Sequence, residues 1–160
     1  GIIRNHYVGR TFIEPTDKIR HFGVKLKHNV NRDLIKGKRV ILVDDSIVRG
    51  TTSKKIVKMV RDAGAKEVFL LVASPPTTGS CFYGIDTPDD KNLIANKLSK
   101  EEIAREIKAD RVEYISIDGL YNAISKSKRN NDQPQYCDAC FSGDYPIALE
   151  DKLNEDQINE

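Results

Sequence analysis

Two sets of residues in this sequence have the types and spacing to do chemistry. The first is VILVDDSIVRGTTS, residues 40 to 53, in which an apolar run ends in Asp44 and Asp45 and passes through Ser46 to a Gly-Thr-Thr-Ser stretch. A helix starting at such a stretch presents free backbone N–H groups and a partial positive charge, which suits a phosphate dianion. Gly50 lets backbone come close to a ligand, and Ser46, Thr51, Thr52 and Ser53 can add hydroxyl donors. Two carboxylates beside that anion site would face hydroxyls or a divalent cation, as a ribose diol or a magnesium ion would present. The plainer reading is a strand-end cap on a solvated edge. The apolar strand before the acids and the small-residue helix start after them argue against it.

The second set is three cysteines. Cys137 and Cys140 form a C-x-x-C pair in QYCDACFSGDYP, and Cys81 lies far upstream in GSCFYGID. A redox pair needs a strand before it and a helix after it, which this context does not clearly supply. A tetrahedral thiolate zinc site fits the spacing better, and buried inert thiols remain the plain alternative.

The elements that must position these residues can be read from periodicity. Arg39–Val43 is a β-branched run bounded by Gly37 and Asp44, as expected of a buried strand. Thr51–Ala63 carries Ile56, Val57, Met59 and Val60 at helical spacing, with Gly64 as its stop. Glu67–Ala73 is another apolar run, so the order strand, helix, strand predicts a parallel pair joined by a crossover helix. Ser74-Pro75-Pro76 and Gly79 mark an irregular segment. Ser99 with Glu102 forms a capping box that opens a helix to about Lys108. Val112–Ile117 reads as a third strand and Gly119–Lys126 as a short helix. Residues 1 to 37 hold no sustained period and read as a strand or two plus a mobile basic loop, and the tail from Ile147 reads as an acidic helix or frayed end.

The chain has 160 residues, enough for one domain with a real core. Its formal net charge of +2 conceals an asymmetry. Residues 1 to 50 hold eleven Lys or Arg against five Asp or Glu, whereas residues 141 to 160 hold one Lys against six acids. No apolar run approaches the ~20 residues of a membrane span and no secretory signal opens the chain, so a cytoplasmic protein with reduced cysteines is expected. No helix-turn-helix or basic recognition surface appears in the second half, and no nucleic-acid partner is expected.

VILVDDSIVRGTTS resembles the 5-phosphoribosyl-1-pyrophosphate (PRPP) signature of type I phosphoribosyltransferases. The SIVRGTTS ending, RNHYVGRTFIEP (4 to 15), SPP (74 to 76) and CFYGIDTP (81 to 88) are similar, more narrowly, to the glutamine-dependent amidophosphoribosyltransferase family. The resemblance implies an α/β fold, a parallel sheet flanked by helices. It also implies that an upstream part of that fold, with a pyrophosphate loop and a glutaminase domain, precedes Gly1. Residues 1 to 126 would be the C-terminal part of the transferase domain, and 127 to 160 a C-terminal segment with the C-x-x-C ligands and the acidic tail. Asp44 and Asp45 would hold the ribose hydroxyls and Mg2+, while Ser46, Ile47, Val48, Arg49, Gly50, Thr51 and Thr52 would surround the 5-phosphate. A flexible loop over about 6 to 29 would close on PRPP, with Arg10 and Thr11 its foremost contacts. Cys81, Cys137 and Cys140 would be three ligands of a [4Fe-4S] cluster, the fourth lying upstream of Gly1. The implied reaction opens purine synthesis. PRPP and ammonia from glutamine give 5-phosphoribosylamine and pyrophosphate, with purine nucleotides as feedback inhibitors and a homo-oligomeric parent. A stand-alone salvage transferase and a PRPP-sensing regulator are the rival readings.

Overall fold

The computed structural model describes residues 2–4 and 28–147. Its centre is a parallel sheet of three strands in the order β3 (Arg39–Asp44), β4 (Glu67–Val72), β5 (Arg111–Tyr114). The two predicted strands joined by a crossover helix are β3 and β4, paired in parallel from Arg39 opposite Glu67 to Asp44 opposite Val72. Before them, β1 (Ile2–Arg4) and β2 (His28–Val30) form an antiparallel ladder, and α1 (Arg32–Ile35) follows. The flexible loop expected over 6 to 29 falls outside the described residues up to position 27, and at its far end His28 and Asn29 are strand.

One sheet face carries the core. Val68, Leu70 and Val72 of β4 and Val112 of β5 are buried against α2 (Thr51–Asp62), through Val57 and Val60, and α3 (Lys100–Ile107), through Ile103 and Ile107. Alternation along a strand sends Ile41, Val43 and Leu71 to the opposite face, where they are 62%, 74% and 39% exposed. There the Arg39 guanidinium lies 5.4 Å from the Phe69 ring centroid.

The capping box at α3 forms as expected. Ser99 Oγ accepts the Glu102 N–H at 3.3 Å, and the Glu102 carboxylate accepts the Ser99 N–H at 2.8 Å. The Ser99 N–H and the Ser99 hydroxyl, both donated to the Glu102 carboxylate at 2.8 Å, hold that carboxyl below its ordinary range. The third strand is shorter than its apolar run suggested. It ends at Tyr114, because Ser116 Oγ accepts the Gly119 N–H at 3.0 Å and turns the chain into α4 (Ile117–Ser125). Ile117, expected at the strand end, therefore begins a helix. A last short helix, α5 (Ala139–Ser142), carries Cys140, the second cysteine of the C-x-x-C pair, and ends at Gly143. No helix among the described residues is long and apolar enough to cross a membrane.

Candidate functional site

Asp44 is the last residue of β3 and shares a row with Val72 and Tyr114 across the sheet. In-register neighbours project to the same face, so the Asp44 carboxylate emerges at the carboxyl edge of the covered face while Asp45 turns outward. Asp44 is half-buried and Asp45 exposed; neither enters the core. Asp44 Oδ1 accepts the Asp45 N–H at 3.1 Å, and Asp45 Oδ1 accepts the Ser46 N–H at 2.7 Å. This chain of bonds fixes the backbone as it leaves the strand.

The loop that follows is pinned from beneath. Ile47 is 1% exposed and belongs to the core, so its contribution to the loop is backbone. Val48 C=O accepts the Ile94 N–H at 2.9 Å. Gly50 is buried with φ +75°, and a Cβ there would stand 2.7 Å from Ile94 Cδ1. Only glycine meets both demands, the left-handed backbone and the close packing. Above this floor, Arg49, Thr51 and Thr52 are exposed, whereas Ser53 is buried. Because Gly50 occupies the N-cap, no side chain caps α2, and its first turn contains no acid. The dipole and the first amide groups of α2 thus open toward the ledge that carries Asp44 and Asp45. Such a ledge can hold an anion at the helix end and a diol or hard cation at the carboxylates.

Two hydroxyls near this edge are an unexpected feature. Ser74 Oγ, just past β4, and Tyr114 OH, at the end of β5, are buried and make no hydrogen bond among the described residues. Burial pushes the Tyr114 phenol up to about 12. SPP stood out in the sequence, but an unpartnered hydroxyl is a property of packing and leaves no mark on composition. Arg10 and Thr11 lie outside the described residues.

The three cysteines are free thiols gathered into one neighbourhood. Cys140 is half-buried, and its thiol is held above its ordinary value by that burial and by the adjacent Cys81 and Cys137. Two distant segments meet to achieve this. The Cys140 carbonyl accepts the Thr78 N–H at 2.9 Å and the Gly79 N–H at 3.0 Å. Tyr145 OH donates to the Ser80 carbonyl at 2.7 Å, and Cys81 N–H donates to Thr87 Oγ1 at 2.7 Å. A Cβ at Gly79 would collide with the Tyr145 hydroxyl and touch Cys140 Cα, so glycine permits the approach. Among the described residues no three His, Cys, Asp or Glu converge on a point where a single metal ion could sit. A multi-iron cluster takes one thiolate at each iron, so three soft donors that share a neighbourhood without meeting at one point fit the chemistry of a cluster ligand set.

Fold and site define a class: a phosphoribosyltransferase-type α/β unit, with its acids and helix end at the carboxyl edge of a parallel sheet. No family model matches the chain. It is 59% identical to the amidophosphoribosyltransferase of Rhizobium etli over 160 residues, 99% of this chain and 32% of that protein. It is 56% identical to amidophosphoribosyltransferase 1, chloroplastic, of Arabidopsis thaliana over 147 residues, 92% of this chain and 25% of that one. Among solved structures, B. subtilis glutamine PRPP amidotransferase complexed with ADP and GMP matches with a TM-score of 0.76 at 49% identity, covering 92% of this chain and 32% of that chain. The chain is homologous to the amidophosphoribosyltransferases along nearly its whole length and spans about a third of theirs.

Proposed function

We propose that this chain supplies the PRPP-binding ledge of an enzyme that converts PRPP, glutamine and water to 5-phosphoribosylamine, glutamate and pyrophosphate. The observation that carries the reading is the uncapped, acid-free start of α2 beside Asp44 and Asp45, within a chain homologous to enzymes of that name. In this reading the amide groups of 49 to 53 and the Thr51 and Thr52 hydroxyls grip the 5-phosphate. Asp44 and Asp45 accept the ribose hydroxyls and hold Mg2+, and Arg10 and Thr11 contact PRPP from the flexible loop. Bound Mg2+ would offset charge on the departing pyrophosphate. The acids act by positioning: charge develops at ribose C1, and a fixed sugar and phosphate keep that carbon aligned with incoming ammonia.

Cys81, Cys137 and Cys140 are read as three ligands of a [4Fe-4S] cluster that ties the C-terminal segment to the transferase body. Purine nucleotides are read as inhibitors, in line with a solved relative that holds ADP and GMP. The enzyme is assigned to the cytoplasm as a homo-oligomer.

Full-length protein purified anaerobically tests this reading. We expect brown colour with a broad visible absorption, and release of pyrophosphate from PRPP when ammonia replaces glutamine. A colourless zinc protein would remove the cysteine assignment. A nucleobase serving in place of ammonia would move the protein to the salvage class, and PRPP binding without any turnover would make it a sensor.

A further inference from the structure

Between Cys137 and Cys140 stand Asp138 and Ala139. The first of them brings a carboxylate into the turn, and Asp138 is only 3% exposed. Arg129 Nε donates to its Oδ2 at 2.6 Å and Tyr121 OH donates to the same oxygen at 2.9 Å. Oδ1 accepts Arg129 Nη2 at 3.2 Å and the Ser142 hydroxyl at 2.8 Å. These four bonds use the whole acceptor capacity of a carboxylate. Arg129 is itself sunk, its side chain 8% exposed, and its Nη2 also reaches Asp144 at 2.6 Å. The Asp138 carbonyl in turn accepts the Phe141 and Ser142 N–H groups at 2.8 and 2.9 Å, closing the turn that carries both thiols.

A turn needs no buried charge to close, since a neutral cap would do so without the cost of removing an ion from water. What a buried, bidentate ion pair adds is a single permitted orientation. Arg129 follows α4 and Tyr121 lies within it, so the pair fixes the thiol turn to the body of the fold, with the Cys140 carbonyl already docked on Thr78 and Gly79.

We propose that Arg129 and Asp138, with Tyr121, are positioning residues that set the Cys137 and Cys140 thiols against Cys81 before any metal arrives. This rests on the reading of the three cysteines as ligands of one cluster. The test uses full-length, metal-stripped, reduced protein titrated with Cd2+ and followed by its ultraviolet thiolate charge-transfer band, then reconstituted with iron and sulfide. Wild type should bind Cd2+ through the paired Cys137 and Cys140 thiolates. Asp138→Asn and Arg129→Lys should each weaken Cd2+ about 10- to 100-fold, the usual effect of removing a partner that orients a metal ligand. Far-ultraviolet circular dichroism and ribose 5-phosphate affinity should stay within about 2-fold of wild type, and any cluster that forms in the variants should show an altered electron paramagnetic resonance signal when reduced. Unchanged Cd2+ affinity in both variants overturns the proposal, as does a wild type that engages fewer than two thiolates. If Asp138→Asn fails to fold, Arg129→Lys alone decides. Two-thiolate Cd2+ binding by a wild type that never takes up iron and sulfide would defeat the cluster reading and leave the positioning role standing.

Discussion

The phosphate ledge and the thiol neighbourhood are built by opposite means. The ledge is one continuous stretch, residues 44 to 53, shaped by backbone: a strand end, a pinned loop and a helix that begins on glycine. The thiol neighbourhood joins residues 78 to 90 to 129 to 145, and side chains hold it together: a sunken ion pair, a tyrosine hydroxyl on Ser80 and a docked carbonyl. A site made by local backbone should tolerate side-chain changes that leave the dihedrals alone. One made by long-range side-chain bonds should fail when a single partner is cut.

The largest effect that would sharpen this contrast is expected from Asp44→Asn combined with Asp45→Asn. Losing two charge-assisted acceptors should cost roughly 3–6 kcal/mol of PRPP binding, at least about 100-fold, with the circular dichroism unchanged. Retained affinity by titration calorimetry would break the ledge assignment. Next is Gly50→Ala. The left-handed backbone costs a side chain roughly 1–2 kcal/mol, and contact with Ile94 Cδ1 at 2.7 Å adds overpacking of about 1–3 kcal/mol. We expect a lower thermal midpoint and about 10-fold weaker ribose 5-phosphate binding, whereas Thr51→Ser should change neither by more than a small factor.

Tyr121→Phe should be smaller but confined to the other region. It removes the donor to Asp138 at 2.9 Å and to the Tyr136 carbonyl at 3.1 Å, a loss of about 1–3 kcal/mol. Hydrogen exchange should rise across 129 to 145 and stay unchanged across 44 to 53; a uniform rise would erase the contrast. Tyr114→Phe is the smallest and of opposite sign. Its hydroxyl is buried with no partner among the described residues, so removing it should leave stability level or raise it by about 1 kcal/mol. A phenol raised to about 12 contributes stability below pH 10 that is lost as pH rises toward 12, because the unfolded chain releases its proton first. Tyr114→Phe should abolish that alkaline loss, and an absorbance titration should lose its phenolate step near pH 12.

The same contrast governs what could be read in advance. β3, α2 and β4 were legible because their periods are local, and the acids and Gly50 sit where the period changes. The expected end of the third strand at Ile117 failed because Ile115 and Ile117 look alike in either state. One hydroxyl, that of Ser116, decides the matter by bonding Gly119. Ser74 and Tyr114 gave no warning, since whether a hydroxyl finds a partner depends on neighbours far along the chain. Nor did Arg129, one cation among many in a polar stretch. Only the folded turn shows that it meets Asp138 nine residues on. The cysteines were visible as ligand candidates, but their gathering depends on the docking of Cys140 at Gly79.

The unequal faces of the sheet have a practical consequence. Ile41, Val43 and Leu71 lie side by side on β3 and β4, open to water, and among the described residues the long edge of β3 has no further strand beside it. An oily surface next to an open ladder is a template for self-association. This stretch expressed by itself should accumulate as oligomers or inclusion bodies, and polar replacements at Ile41 and Val43 should restore a monodisperse preparation without touching the phosphate ledge.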